Sequence, residues 1–78
     1  MIYIVYGITD CPSCLRAEAL LMELDKEYVV VTADFSKSYR EQIRQELKWP
    51  TFPIIVVKEQ QNNTLIGGLE ALEKHLAK

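Results

Sequence analysis

Two cysteines stand together as Cys11-Pro12-Ser13-Cys14, and the 78-residue chain holds no others. A thiol pair at this spacing can exchange with an external disulfide, contribute to a metal site or sit inertly in a core. Pro12 sets the local geometry. It lacks an N–H and fits the first helical position, where that donor would have no intrahelical acceptor. Cys11 is then the N-cap, its sulfur facing the free N–H groups of Ser13 and Cys14 and the positive end of the helix dipole. Such surroundings favour the thiolate, which is the nucleophilic form. One turn later Cys14 lies about 5 Å away, inside the range a disulfide accepts. Cys11 can therefore attack a disulfide, and Cys14 can resolve the mixed disulfide that results. Asp10 opposes thiolate formation as an adjacent carboxylate, and the helix terminus is expected to outweigh it.

The other uses of the pair fit less well. Structural zinc takes about four Cys or His ligands, and the chain offers only His75 besides, toward its far end. A single bridge across so short a loop does little to hold a fold together. Small secreted scaffolds spread several bridges along the chain instead. The pair reads as redox chemistry, with no metal expected.

A strand must lead into this helix. Ile2 to Tyr6 is a β-branched and aromatic run that ends at Gly7, as a buried strand would. After Pro12, an apolar stripe of Leu15, Ala19 and Met22, with Leu20 and Leu24, predicts a helix to about Asp25. Tyr28 to Thr32 is a second strand. Tyr39, Ile43 and Leu47 recur at helical spacing on a charged segment, with Ser36 or Ser38 as cap. Ile54 to Val57 is the strongest strand. A polar turn, Gln60-Gln61-Asn62-Asn63, leads to a short strand at Thr64 to Ile66, and Leu69, Leu72 and Leu76 mark a closing helix. The order β-α-β-α-β-β-α predicts a right-handed parallel crossover followed by an antiparallel hairpin. The expected α/β architecture is a four-stranded mixed sheet with its three helices on both faces.

Hydrophobic residues at 49% and charged residues at 26% are ordinary globular usage and argue against a disordered chain. A net charge of −2 argues against nucleic-acid binding. No apolar run approaches the roughly 18 residues of a membrane span, and the first arginine is Arg16, so the N-terminal residues are not expected to be a signal peptide. The expectation is one domain over residues 1–78, monomeric, cytoplasmic and without membrane contact. Its core is marginal, since a chain of this size buries only roughly 60–65% of its unfolded surface.

Two further groups of residues remain. In Thr51-Phe52-Pro53 the proline either starts an edge strand or follows a cis bond. The cis form would present the backbone of Phe52 to an extended peptide beside Cys11. Gly67-Gly68 either makes a turn or lets a ligand carboxylate approach the N–H groups of Leu69 and Glu70.

Taken together, Tyr6, Cys11-Pro12-Ser13-Cys14, Thr51-Phe52-Pro53 and Gly67-Gly68 followed by Glu70 resemble the dithiol glutaredoxins of the thioredoxin superfamily, in order and over the whole chain. The resemblance implies a thioredoxin-like fold and a thiol–disulfide oxidoreductase that reduces protein disulfides and glutathionylated proteins, with glutathione as reductant. It implies Cys11 as nucleophile and Cys14 as resolving thiol. It also implies a glutathione site formed by Pro12, Ser13, Thr51, Phe52, Pro53, Gly68, Leu69 and Glu70. Phe52 would bond the cysteinyl part, and Glu70 the γ-glutamyl amino group. The chain departs from the family at Ile8, where a lysine is usual, at Ser13, where an aromatic is common, and at Glu70, where aspartate is usual. Arg40 or Arg44 could supply the missing cation, or could simply pair with Glu41 and Glu46. Trp49 and Tyr39 read as core or rim packing. A second reading, prompted by Ile8, is a small redoxin reduced by thioredoxin reductase that serves as electron donor, for instance to ribonucleotide reductase. A third is a dimer that binds an iron–sulfur cluster through Cys11 and glutathione.

Overall fold

The computed structural model describes residues 1–77. Along the chain run β1 (Ile2–Gly7), α1 (Pro12–Glu23), β2 (Tyr28–Thr32), α2 (Lys37–Leu47), β3 (Ile54–Glu59), β4 (Asn62–Gly67) and α3 (Leu69–Leu76). The strands form one four-stranded sheet in the order β2-β1-β3-β4. Strand β1 pairs parallel with β2, Val5 opposite Val30, and antiparallel with β3, Val5 opposite Ile55. Strands β3 and β4 form the antiparallel hairpin. This is the expected mixed α/β sheet, and the parallel pair is joined through α1 as a βαβ unit requires.

Alternation along β1 divides the core. Tyr3 and Val5 face one side and pack with Ile55 and Val57, with Ala17 and Leu21 of α1 and with Leu72 of α3. His75 of α3 meets Tyr3 edge-on, with ring centres 6.1 Å apart. It therefore lies against the start of β1, whereas the cysteines follow its end. Tyr6 points to the other face. Its hydroxyl is held in the neutral form by burial, and then by the nearby Tyr39 and Glu46 of α2. Ile43 is the α2 residue buried on this side.

Several local details differ from the sequence expectation. The buried face of α1 is Cys14, Ala17 and Leu21, whereas Leu15 and Met22 are 65% and 66% exposed. The helix carries apolar residues nearly all round, so periodicity alone leaves its rotation undetermined. Helix α1 also ends at Glu23 rather than Asp25. Asp25 takes a left-handed φ of 57°, its N–H bonds the Met22 carbonyl, and that of Lys26 bonds the Leu21 carbonyl at 2.9 Å. This is a Schellman closure with aspartate in the place glycine usually takes.

The polar turn is shorter than expected. Asn62 and Asn63 belong to β4, opposite Glu59 and Lys58, and Gln60, at φ 51°, turns the chain. The pairing satisfies backbone groups on an exposed edge, so no apolar signal marks it. Of the two candidate caps for α2, Ser36 is the one used, its hydroxyl accepting the Tyr39 N–H at 3.2 Å.

Leu72 is fully buried between α1, α3 and the sheet. Leu72→Ala should destabilise the protein by about 2–5 kcal/mol, the usual cost of truncating a core leucine. Urea denaturation should show this as a lower midpoint.

Candidate active site

Cys11 occupies the N-cap of α1 in an extended conformation, with Pro12 in the first turn. Its Sγ accepts the Cys14 N–H at 3.2 Å, and its carbonyl accepts the N–H groups of Cys14 and Leu15. The two cysteines are joined as a disulfide, with Cα atoms 5.2 Å apart, as one helical turn requires. Cys14 is only 3% exposed, whereas Cys11 is half-buried. An incoming disulfide therefore meets Cys11, and Cys14 reaches only the Cys11 sulfur. Gly7, at the end of β1, makes room for the pair, since a Cβ there would stand 3.3 Å from the Cys14 sulfur.

The loop into Cys11 is tied to the far end of β2. Thr9 donates both its N–H, at 2.9 Å, and its hydroxyl to Oδ2 of Asp34. The Thr9 hydroxyl first, then its amide, hold the Asp34 carboxyl below the ordinary aspartate value, and the charge of Arg40 adds to the effect. Neither Thr9 nor Asp34 was marked by any motif in the sequence.

Beside the disulfide lies an open cleft of about 460 Å³, within the size range of small-molecule sites. Ser13 borders it on one side, Thr51, Phe52 and Pro53 on a second, and Gly68, Leu69 and Glu70 on a third. These are seven of the residues singled out in the sequence, brought together from three separate segments. Cys11, Pro12 and Cys14 are not part of its lining. The Phe52–Pro53 peptide is cis. Gly68 is the N-cap of α3 and supplies no side-chain bond to the helix terminus, which leaves N–H groups at the start of α3 for a ligand.

Trp49, Ala71 and Lys74 also line the cleft, and the sequence reading missed them as site residues. Trp49 belongs to the cleft wall as well as to packing. Lys48, in a left-handed conformation, turns the chain out of α2, and the Trp49 N–H closes on the Arg44 carbonyl at 3.2 Å. The indole then lies over Gly67, whose φ of 124° no L side chain adopts easily and whose Cβ would stand 3.0 Å from the ring. Lys74 had a usable signal, since it follows Glu70 by four residues and so shares its face of α3. The two side chains stand 3.8 Å apart on the exposed rim.

No cation occupies the place of Ile8, which is half-buried. Of the two arginines weighed for that charge, Arg44 stands nearer the cleft. Its guanidinium lies over the Phe52 ring, 5.5 Å from the centroid, while pairing with Glu41 at 2.9 Å. Arg40 lies on the Asp34 side.

A helix-capped, half-exposed cysteine backed by a buried one on a thioredoxin-like sheet defines a thiol–disulfide oxidoreductase. Residues 2–61 match the family model described as Glutaredoxin, and the chain belongs to the glutaredoxin family. The Gly67-Gly68 and Glu70 element lies outside the matched segment. Among solved structures, the solution structure of glutaredoxin from Brucella melitensis has a TM-score of 0.78 at 26% identity, covering 99% of this chain and 79% of that one. Reduced Escherichia coli glutaredoxin gives 0.78 at 26% identity, covering 99% and 94%. The buckwheat glutaredoxin–glutathione complex gives 0.77 at 23% identity, covering 96% and 68%. The chain has no significant match among curated protein sequences.

Two outcomes are expected. Gly67→Ala should cost about 1–3 kcal/mol, as other strained backbone positions do, and should shift the fluorescence of the sole tryptophan as the indole is displaced. The depressed Asp34 value contributes stability that is complete above the unfolded value, near 3.9, and is lost as pH falls through the folded one. Urea midpoints measured across that acid range should fall in the wild type and flatten in Asp34→Asn.

Proposed function

We propose that glutathione is the reductant of this oxidoreductase, and that its substrates are protein disulfides and mixed disulfides of glutathione with proteins. The observation that carries this reading is the cleft beside Cys11, whose wall includes the α3 terminus that lacks a side-chain cap. A γ-glutamyl carboxylate would accept the N–H groups of Leu69 and Glu70, and the Glu70 carboxylate would meet the neighbouring amino group. The Phe52 backbone would pair with the cysteinyl residue, with Thr51 and Pro53 shaping that wall. Arg44, whose guanidinium lies over the Phe52 ring, would meet the glycyl carboxylate. The glutathione complex of buckwheat glutaredoxin, similar in fold, supports the same ligand here.

With a glutathionylated protein, the Cys11 thiolate attacks the glutathione sulfur and the protein leaves as its thiolate. A second glutathione thiolate then attacks the glutathionyl sulfur on Cys11, releasing glutathione disulfide and restoring Cys11. With a protein disulfide, attack by Cys11 frees one protein thiolate and leaves a mixed disulfide. The Cys14 thiolate attacks the Cys11 sulfur, releasing the second protein thiolate and forming the Cys11–Cys14 disulfide. Two glutathione molecules reduce that bond and become glutathione disulfide.

Ile8 favours a second reading, reduction by thioredoxin reductase, because the cation usual at that position for an anionic tripeptide is missing. A paired assay separates the two: glutathione with glutathione reductase against thioredoxin reductase, each with NADPH. Turnover of a small mixed disulfide is expected in the first system, and turnover confined to the second would overturn the glutathione reading. Cys11→Ser should abolish reduction of both substrate classes. Cys14→Ser should abolish protein-disulfide reduction and retain part of the deglutathionylation.

A further inference from the structure

We propose that Asp34 is the positioning residue for Cys11, acting through Thr9 to hold the nucleophile in its N-cap conformation. The inference rests on the thiol chemistry of the site and is independent of which reductant serves it. Helix α1 holds Cys11 from its C-terminal side, through the bonds to Cys14 and Leu15. From the other side, Cys11 is reached through Asp10, which carries a left-handed φ of 53°. The left-handed region is costly for an L residue, though less so for aspartate than for most, so a contact that holds the preceding residue favours it. Immediately before it, Thr9 donates twice to Oδ2 of Asp34, which holds the backbone that enters Asp10. Asp34 is itself fixed, because the Ala33 N–H before it bonds the Gly7 carbonyl at 2.8 Å. The end of β1 and the segment after β2 thus clamp Ile8 to Asp10 between them, and Cys11 leaves the clamp already aimed at the helix terminus.

The charged groups near the clamp give the test its sign. Arg40 stands beside the Asp34 carboxylate, and Asp10 adjoins Cys11 in the chain. If Asp34 acted on Cys11 by charge alone, removing it would favour the thiolate. If it acts by position, removing it takes the sulfur away from the helix N–H groups and disfavours the thiolate.

The experiment measures iodoacetamide alkylation of reduced Cys11 against pH, with disulfide-reductase turnover alongside, in Asp34→Ala, Asp34→Asn and Thr9→Val. Asparagine keeps the acceptor and loses the charge. Asp34→Ala should move the alkylation midpoint to higher pH and lower the thiolate-dependent rate near neutrality roughly two- to fivefold, the range expected of a helix-terminus interaction. Asp34→Asn should restore most of that rate, and Thr9→Val, which keeps only the backbone donor, should fall between. A midpoint that moves to lower pH or stays in place in Asp34→Ala overturns the proposal, as does an Asp34→Asn variant as impaired as the alanine. Should Asp34→Ala fail to fold, hydrogen exchange of the wild-type protein decides. The Thr9 amide, on an exposed loop, should be protected, and exchange at the unprotected rate would refute the clamp.

Discussion

The sulfur of Cys11 accepts a hydrogen bond from the first turn of the helix it caps, 3.2 Å from the Cys14 N–H, and much of the surrounding structure is organised by that contact. Pro12 sets where the helix begins. Once Cys11 caps it, the helical repeat carries Cys14 to the inner side, and the same rotation brings Ala17 and Leu21 into the core. The redox pair and the main hydrophobic contact of α1 therefore share one helix phase. A change that rolled α1 to bury Leu15 or Met22 would also turn Cys14 out of the core. Gly7 belongs to the same constraint, because the end of β1 must pass within van der Waals reach of the buried sulfur.

The rest of the site is built by the sheet order. Strand β3 lies between β1 and β4, so the segment entering β3 and the turn leaving β4 arrive at the end where α1 begins. Thr51 to Pro53 and Gly68 to Glu70 are thus brought to the cleft that Ser13 borders. Trp49 links the two walls, standing at the exit of α2 with its ring against Gly67. The ionic contacts at the rim are of another kind. Glu70 and Lys74 are both largely exposed, and such pairs contribute only about 0–1 kcal/mol. They shape the charge a ligand meets more than they hold the fold.

Much of this was legible in the residues because the signals were local and stereochemical. Pro12 after a cysteine, a serine opening α2, β-branched runs for the strands and leucines at helical spacing in α3 each act within a few residues. They led to the correct element order and mixed sheet. The sequence reading failed where local signals were degenerate. Helix α1 offered apolar residues on every side, and the start of β4 was hidden by polar residues that pair through their backbones. Trp49 was named by no motif, because its part in the cleft depends on what the fold sets opposite it.

By itself, then, the sequence determined that Cys11 caps a helix with Cys14 one turn behind, since Pro12 and the helical repeat need nothing distant to act. It equally determined which segments become strands. The tertiary structure alone decided which face of α1 is buried, that Phe52, Gly68 and Trp49 share one cleft, and that Asp34 reaches Thr9. Those outcomes depend on contacts between segments many residues apart. Such contacts come from packing the whole sheet against its helices, and no local preference encodes them.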